Sequence, residues 1–491
     1  MRALVIDLNN FSRYPTLSIG YLTAILRDSG LTVDVLSPFA KGIHGYPRVT
    51  QASPWEVYYN FVKHWSAVTP NRIIRKLRKQ IREFSSPGGR EQKKIIVQYT
   101  KELLENNPDV VLISAYTMHA SICHDIGRLC STKKVPVIVG GSYFVEPEIA
   151  AIWKSIPGVS AVYAGEPESD LSKIVTDLVN GKDISHYPGV LVQENKSRPP
   201  APPLLRLDNV PFPDYSDFPW SSYPNRIIPM MTGRGCGWGH CKFCSDIVTS
   251  SGRTFRSRSI DNVMEEITFQ VSRFNTDLFV FLDLKLNSDL QLWRGLISRF
   301  PETVPDAKWT ASVHVDNSSD NGLSKKDLQR ARKAGLVRIT CGIETGSEKV
   351  QKLMAKGTRV KRLSQFLKDA YAADLSVRMT SIIGYPGEEP ADVDLTAQFI
   401  EEHSDYIERI ILNRFVLMPG TAIDTRIKNH ADEFPLIRRS KLDTHTAVVP
   451  HENRIFQTKE YYAAVFRLMR AIHKINRRSL RMSAMAFEGV M

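Results

Sequence analysis

Long apolar runs are absent from this sequence, and cysteine is scarce. No apolar run approaches the roughly 18 to 20 residues that cross a bilayer, and the N-terminus passes from one arginine directly into a short strand-like segment. We therefore expect neither a membrane span nor a signal peptide, and a cytoplasmic location. Six cysteines in 491 residues do not suggest a disulfide framework. Cys123, Cys130 and Cys341 lie in apolar stretches and are expected to be buried small hydrophobes.

Acidic residues are fewer than basic residues, which gives a net charge of +13. The excess is spread along the chain and is richest at residues 72–82 and 467–481, where apolar residues recur at helical spacing. This pattern is more typical of solvated helix faces than of a nucleic-acid site. We therefore do not expect a nucleic-acid partner.

Strand and helix patterns alternate through residues 1–180. Buried strands separated by helices predict a doubly wound parallel sheet, a Rossmann-like α/β fold whose ligand lies beyond the carboxyl ends of the strands. The predicted strands are Ala3–Leu8, Thr32–Leu36, Asp109–Ser114, Pro136–Val139 and Ala161–Ala164. Residues 38–90, rich in aromatic and then in basic residues, interrupt this order as a predicted helical insertion.

Proline is concentrated in residues 181–225, which predicts a semi-extended linker. A second alternating series over residues 226–420 predicts a partial (β/α)6 barrel of TIM type, with function at the C-terminal ends of its strands. Its predicted strands are Ile227–Thr232, Leu278–Leu282, Lys308–Val315, Val337–Gly342, Ser376–Ile383 and Ile410–Leu417. Residues 421–491 show helical, basic patterns without strand signals, which predicts a helical C-terminal region.

Three cysteines fall within nine residues, directly after the first predicted barrel strand. Cys236, Cys241 and Cys244 can each bind one iron of a four-iron, four-sulfur cluster, which leaves the fourth iron open for a chelating ligand. A zinc site that adds His240 is the alternative. Because His240 adjoins Cys241, joint tetrahedral ligation by these two residues is awkward.

The cysteine loop resembles the signature of radical S-adenosylmethionine (SAM) enzymes. In that family three cysteines hold the cluster, and the aromatic residue before the last one, here Phe243, lies beside the adenine. The common family spacing places three residues between the first two cysteines, whereas this chain has four. We expect the extra residue to bulge the loop without changing the cluster ligands.

Later strand ends are similar to the same family. The segments are Gly342-Ile-Glu-Thr-Gly-Ser347, Ile382-Ile-Gly-Tyr-Pro-Gly-Glu388 and Phe415-Val-Leu-Met-Pro-Gly-Thr421. The resemblance implies that Glu344 contacts the ribose hydroxyls of SAM, and that further contacts come from Ser347, Ile382, Gly384 and Leu417. Asp283, after the second barrel strand, has two readings that we leave open: a contact to the methionine amino group, or a local helix cap or loop salt bridge.

The N-terminal half resembles the cobalamin-binding domain that precedes the barrel in one subgroup of this family. Small residues at strand ends let a bulky corrin approach the backbone, although a generic nucleotide site would need the same feature. The contacts implied are Leu17, Ser114, Tyr116, Thr117, Gly140, Gly141, Ser142, Gly165 and Glu166. The first strand-helix loop contains no histidine, and His124 is interpreted as a helix residue, so we expect base-off cobalamin without an axial histidine.

The resemblance also implies a reaction. An external electron donor of flavodoxin or ferredoxin type reduces the cluster, SAM is cleaved, and a 5′-deoxyadenosyl radical removes hydrogen from an unactivated carbon of a small-molecule substrate. In the commonest outcome that carbon takes a methyl group from methylcobalamin, which makes the chain a C-methyltransferase of a natural product or another small molecule. Cyclisation, ring contraction or rearrangement is the alternative. Modification of a transfer RNA or a peptide is less expected, and for transfer-RNA methylthiolation the N-terminal half lacks the extra cysteine trio.

Overall fold

The computed structural model describes residues 1–44, 87–194, 198–246 and 254–490, together with a few residues between 55 and 78. Most of the predicted insertion at 38–90 and much of the basic stretch at 72–82 lie outside the described residues. In the part of the chain that is described, none of the helices combines the length and the apolar character that a bilayer crossing requires.

The N-terminal part of the chain forms a six-stranded sheet covered by helices. Its central strands are almost entirely buried apolar residues, as is typical of a parallel sheet with both faces covered. The predicted doubly wound α/β fold is confirmed. The elements are β1 Arg2–Asp7, α1 Leu17–Asp28, β2 Thr32–Leu36, α2 Pro87–Leu104, β3 Val110–Ser114, α3 Ala120–Thr132, β4 Val137–Gly140, α4 Pro147–Lys154, β5 Val159–Tyr163, α5 Leu171–Val179 and β6 Val190–Leu191.

The strand order of this sheet is β2-β1-β3-β4-β5-β6. The chain leaves β1 toward β2 and returns on the other side of β1 to form β3, so a crevice opens where the carboxyl ends of β1 and β3 diverge. Strand β6 runs antiparallel to β5 and lies within the predicted linker. This edge strand was not predicted, because a two-residue strand is too short to leave a sequence pattern.

The second sheet is an open barrel with the strand order β14-β13-β12-β11-β10-β7, and all neighbouring strands are parallel. Its edges are β7 and β14, as expected for a partial barrel. The elements are β7 Ile227–Met230, β8 Gly233–Arg234, β9 Arg256–Ser257, α6 Ile260–Phe274, β10 Leu278–Phe281, α7 Leu290–Thr303, β11 Lys308–Val313, α8 Lys325–Lys333, β12 Leu336–Glu344, α9 Glu348–Met354, α10 Val360–Ala372, β13 Ser376–Ile383, α11 Pro390–Glu402 and β14 Arg409–Arg414.

The C-terminal region is not purely helical, in contrast to the prediction. Between α12 Ala422–Asn429 and α13 Lys459–Asn476, an antiparallel pair of short strands forms, β15 Ile437–Arg439 and β16 His451–Asn453. Three of the basic residues in and after α13, Arg467, Arg478 and Arg481, pair with acids of the barrel. Arg467 lies 2.7 Å from an oxygen of Asp394, a residue of α11, so this charge is used within the fold.

The two halves of the chain and the C-terminal tail pack together at the amino ends of the barrel strands. Tyr14, from the loop after β1, shares an apolar cluster with Val280, Phe487 and Val490. Arg338 of β12 donates a hydrogen bond to the carbonyl oxygen of Phe487 at 2.7 Å. The tail therefore links the N-terminal sheet to the barrel.

Candidate active site

The cysteine loop, residues 235–255, leaves the barrel after β7 and is closed at its base by the pairing of β8 with β9. Gly235 begins the loop with a φ of +81°, and a Cβ at this position would overlap the carbonyl group of Thr254. Only glycine fits this conformation without strain. Cys236, Cys241 and Cys244 follow as half-buried thiols at the C-terminal end of the barrel.

The zinc alternative would need His240 as its fourth ligand. His240 is exposed to solvent beside Cys241. Among the described residues, no three histidine, cysteine, aspartate or glutamate side chains gather as a site for one metal ion. The four ligands of zinc must surround a single point, whereas thiolates that bind different irons of a cubane need not converge in this way.

The four-residue spacing between the first two cysteines is accommodated by Trp238, which turns back onto the barrel. The indole Nε1 of Trp238 donates a hydrogen bond to the carbonyl oxygen of Ala355 at 3.0 Å. The same ring packs directly on Gly357 and meets the ring of His314 edge-on, with 5.6 Å between centroids. The longer loop is therefore anchored to the segment that follows α9.

Lys356 lies at the centre of the site, although nothing in the sequence drew attention to it. Its Nζ is 2.7 Å from Oε1 of Glu344 and 5.9 Å from the ring centroid of Phe243. Burial acts to lower the pKa of Lys356, but the charges of Glu344 and Cys241 hold it above its ordinary value. Burial also raises the pKa of the Cys241 thiol, and the Lys356 ammonium acts in the opposite direction. A permanent positive charge thus stands between Glu344 and the cluster thiols.

The backbone around Lys356 is fixed by His314. Burial, together with the charge of Lys356, lowers the pKa of His314 to about 3, so its ring is neutral. The ring Nε2 then donates to the carbonyl oxygen of Lys356 at 2.8 Å. Glu344, which ends β12 with a φ of +57°, also receives the Thr380 hydroxyl at 3.3 Å. The predicted ribose-binding carboxylate is therefore already held by two neighbours.

The carboxylate of Asp283 accepts hydrogen bonds from the protein itself. Its Oδ1 accepts hydrogen bonds from the Thr232 hydroxyl at 2.8 Å and from the backbone N–H of Gly233 at 2.7 Å. Burial raises the pKa of Asp283 to about 6, and these hydrogen bonds act in the opposite direction. This geometry does not support a contact with the methionine amino group. Asp283 instead anchors the turn that leads from β7 into the cysteine loop.

An apolar wall stands beside the cysteine loop at the ends of β13 and β14. One apolar cluster contains Tyr385 together with three residues that were predicted to lie beside SAM: Phe243, Ile382 and Leu417. Phe243 and Tyr385 meet edge-on with their ring centroids 6.3 Å apart. Gly384 follows β13 with a φ of +83°, a conformation that glycine adopts at little cost.

Ser347 and Glu388 fix the loops around this wall. The Ser347 hydroxyl caps α9 and donates to Oδ1 of Asp392 at 2.7 Å, so the implied SAM contact of Ser347 is replaced by a structural one. Glu388, which the sequence did not single out, accepts hydrogen bonds from the Gly384 N–H at 2.5 Å and the Tyr461 hydroxyl at 2.6 Å. Burial raises the pKa of Glu388 to about 7, while these hydrogen bonds act to lower it.

A cavity of about 470 Å³ opens at the carboxyl ends of the N-terminal strands. Gly140 faces open space, and Gly141 has no room for a side chain because a Cβ would overlap the carbonyl oxygen of Ala115. Thr117 is buried outside the wall of this cavity. The other implied cobalamin contacts all line it: Leu17, Ser114, Tyr116, Gly140, Gly141, Ser142, Gly165 and Glu166.

The opposite wall of the same cavity belongs to the barrel. Met231, Gly233, Arg234, Leu282 and Leu284 line it from the ends of β7 and β10 and from the base of the cysteine loop. The cavity therefore lies between the two halves of the chain and reaches the loop that carries the thiols.

No histidine is among the described residues that line the cavity. His124 lies on α3, with its Nδ1 3.6 Å from a carboxylate oxygen of Asp125. The interpretation of His124 as an ordinary helix residue agrees with this position.

Comparison with known proteins identifies the barrel. Residues 230–400 match the family model described as the Radical SAM superfamily. An uncharacterised methyltransferase of Pyrococcus horikoshii is 26% identical over 327 residues, which cover 65% of this chain and 69% of that protein.

Two solved structures share the fold over nearly the whole chain. The radical SAM methyltransferase TsrM from Kitasatospora setae has a TM-score of 0.65 at 14% identity, covering 96% of this chain and 89% of TsrM. The cobalamin-dependent SAM radical enzyme OxsB has a TM-score of 0.67 at 16% identity, covering 91% of this chain and 64% of OxsB. Residues 230–400 therefore carry a domain of the Radical SAM superfamily, and the chain shares its overall fold with TsrM and OxsB.

Proposed function

We propose that this chain is a cobalamin-dependent radical SAM methyltransferase that acts on an unactivated carbon of a natural product or another small molecule. The observation that carries the proposal is a cavity that is lined by both halves of the chain. One wall contains the strand-end glycines Gly140 and Gly141, and the other contains Gly233 and Arg234 at the base of the cysteine loop. A corrin in this cavity would lie next to the loop that holds the cluster.

The thiols and Lys356 are the residues that would hold the cluster and SAM. Cys236, Cys241 and Cys244 would bind three irons, which leaves one iron open for the amino and carboxylate groups of SAM. When bound, the cluster would supply the electron that cleaves SAM, and cobalamin would carry the methyl group. The buried ammonium of Lys356 offers a partner for the SAM carboxylate, and the apolar wall at Phe243 excludes water from the adenine side.

The relatives support methyl transfer over rearrangement. The protein from Pyrococcus horikoshii is named a methyltransferase, and TsrM carries the same name. We further propose that cobalamin binds base-off without a protein histidine, because no histidine lines the described part of the cavity. An external flavodoxin or ferredoxin would serve as the electron donor.

Anaerobic reconstitution with iron, sulfide and hydroxocobalamin tests the cofactor content. We expect about four irons and one cobalamin per chain. Normal iron without bound corrin would remove the methyltransferase proposal and leave the radical SAM assignment in place. SAM carrying an isotopic label in its methyl group then tests the reaction, and label on the protein-bound cobalamin is the expected result. A product that gains one methylene in mass separates methyl transfer from rearrangement.

A further inference from the structure

Four buried charged side chains join the N-terminal sheet to the base of the cysteine loop. We call them the interdomain ion cluster: Glu166 and Glu168, from the loop after β5, and Arg234 and Arg256, from β8 and β9. Their side chains are between 5% and 11% exposed. With two carboxylates and two guanidinium groups, the cluster is electrically balanced.

Both carboxylate oxygens of Glu166 are bound by donors of the protein. The guanidinium of Arg256 binds its two carboxylate oxygens at 2.8 and 2.9 Å. Arg234 lies 3.2 Å from the same carboxylate, and the backbone N–H of Leu204 donates to it at 2.8 Å. The resemblance implied that Glu166 contacts cobalamin, but its hydrogen-bonding capacity is taken up by the protein.

The position of the two arginines gives the cluster a mechanical role. Arg234 and Arg256 face each other in the β8–β9 pair, which closes the two ends of the cysteine loop. Cys236 follows Arg234 by two residues. Both ends of the loop are therefore clamped to the N-terminal sheet through buried ion pairs, which are specific in geometry and costly to break.

Two members of the cluster carry a buried atom without a hydrogen-bond partner among the described residues, Arg256 at Nε and Glu168, and of these two only Glu168 lines the cavity. Glu168 is therefore the one that an occupant of the cavity can reach. Its Oε1 binds Arg234. Its Oε2 is buried and has no hydrogen-bond partner among the described residues, and Glu168 lines the cavity between the two halves. A buried carboxylate oxygen without a donor is costly, so this atom points to a donor supplied by the molecule that fills the cavity.

We propose that Glu168 is a cobalamin-binding residue that also positions the cysteine loop. One oxygen holds Arg234, and the other accepts a hydrogen bond from an amide N–H at the edge of the corrin. A corrin bound in the cavity thereby holds the Glu168 side chain in place. Glu168 in turn holds the guanidinium of Arg234, and Arg234 positions the start of the loop that carries the thiols. This inference rests on the proposed function, because it takes cobalamin as the occupant of the cavity.

Glu168→Gln tests the inference with almost no change in shape. A glutamine amide has only one acceptor oxygen, so it cannot serve both Arg234 and an amide donor of the corrin. We expect hydroxocobalamin to bind about 10- to 100-fold more weakly, measured by absorbance titration of the anaerobic protein, because a hydrogen bond to a charged acceptor is lost. Glu408→Gln is the matched control, since Glu408 pairs with Arg481 at the opposite end of the barrel.

A second measurement separates positioning from simple folding damage. Iron remaining on the protein is followed during incubation with a chelator, with and without hydroxocobalamin. In the wild type and in Glu408→Gln, we expect cobalamin to slow iron loss. In Glu168→Gln held at saturating cobalamin, we expect this protection to be lost, whereas a purely structural defect would speed iron loss equally with and without cobalamin.

The outcomes distinguish failure of the inference from failure of the proposed function. If the wild type binds no cobalamin, the proposed function falls, and this inference falls with it. If the wild type binds cobalamin and Glu168→Gln binds it equally well, or if cobalamin protects the iron equally in both, only the inference is overturned. Arg234→Lys gives a further check, because a lysine lacks the forked guanidinium that reaches both carboxylates, and it should reduce the protection of iron more than it reduces cobalamin affinity.

Discussion

The contact between Gly357 and Trp238 gives the sharpest test of how the four-residue cysteine spacing is accommodated. Gly357 has a φ of +70°, and a Cβ there would lie 2.7 Å from Cε2 of Trp238 and closer to two other ring atoms. Gly357→Ala therefore has two costs. An alanine in the left-handed region costs about 1–2 kcal/mol, and the overlap with the indole adds about 1–3 kcal/mol.

These two costs can be separated by removing the ring. Trp238→Ala alone should reduce the free energy of unfolding by less than the ~3–5 kcal/mol typical of a fully buried tryptophan, since Trp238 is only partly buried. In that background Gly357→Ala retains only the backbone cost of about 1–2 kcal/mol. The two substitutions should therefore be less than additive, with a coupling of about 1–3 kcal/mol that equals the overlap term.

Urea unfolding of the iron-free protein, followed by circular dichroism, measures this cycle. Gly30→Ala is the matched control, because Gly30 also has a positive φ, +82°, but a Cβ there meets no atom within 4 Å. It should cost about 1–2 kcal/mol and show no coupling with Trp238. Additivity of Gly357→Ala with Trp238→Ala to within about 0.5 kcal/mol would refute the account of the anchored loop.

Three other substitutions test the site. Lys356→Met leaves the buried Glu344 carboxylate without its cation, so we expect a loss of about 3–5 kcal/mol in urea unfolding and weaker SAM binding by calorimetry, with a smaller loss for arginine. Burial raises the pKa of Glu388 from 4.5 to about 7, so the folded protein keeps a proton that the unfolded chain releases between these pH values. Wild-type stability should fall by roughly 3 kcal/mol over that window relative to Glu388→Gln, and a constant difference in unfolding free energy would contradict this. Cys244→Ala should abolish the cluster absorbance after reconstitution, whereas Cys130→Ala, which removes a buried thiol on α3 of the N-terminal half, should leave iron content unchanged.

The parts of the fold that the sequence predicts are those whose burial leaves a pattern. Strand β13 has the bounds that the sequence predicts, Ser376–Ile383, because its buried apolar residues Val377, Met379 and Ile383 alternate with partly exposed positions at the period of a strand. The two-residue strand Val190–Leu191 and the seven-residue helix Glu348–Met354 are absent from the prediction. Neither is long enough to show a period, and each is stabilised by neighbours that are distant in the sequence.

The residues of the candidate site also fall into those that the sequence predicts and those that it misses. The three thiols could be found because they share one short loop and their spacing carries the chemistry. Lys356 could not be found, because its importance depends on a contact with Glu344, twelve residues earlier, that forms only once β12 has ended with a positive φ. The pairing of Glu166 with Arg256 spans 90 residues and two halves of the chain, so no local pattern could indicate it.

Carboxylates at strand ends show why a motif can locate a site without assigning its contacts. Glu166 was predicted to be a cofactor contact, a cofactor contact was one of two open readings of Asp283, and both residues lie at the site. In each case, however, backbone N–H groups and charged or hydroxyl side chains of the protein already occupy the carboxylate. A buried carboxylate is stabilised by whichever donors reach it, and a sequence does not state whether those donors belong to the protein or to a ligand.

The cysteine loop is anchored by contacts with three segments that lie far apart in the sequence. Asp283 holds the entrance of the loop from the end of β10, Trp238 ties the segment between Cys236 and Cys241 to the residues after α9, and Glu166 holds the base of the loop through Arg256. Because these anchors come from different parts of the barrel and from the N-terminal sheet, the loop reaches its final geometry only after both halves have folded and docked. A cubane requires three thiolates in fixed relative positions, so assembly of the cluster should follow docking of the two halves. A barrel produced without residues 1–180 should therefore retain less iron than the full chain, even where its strands form.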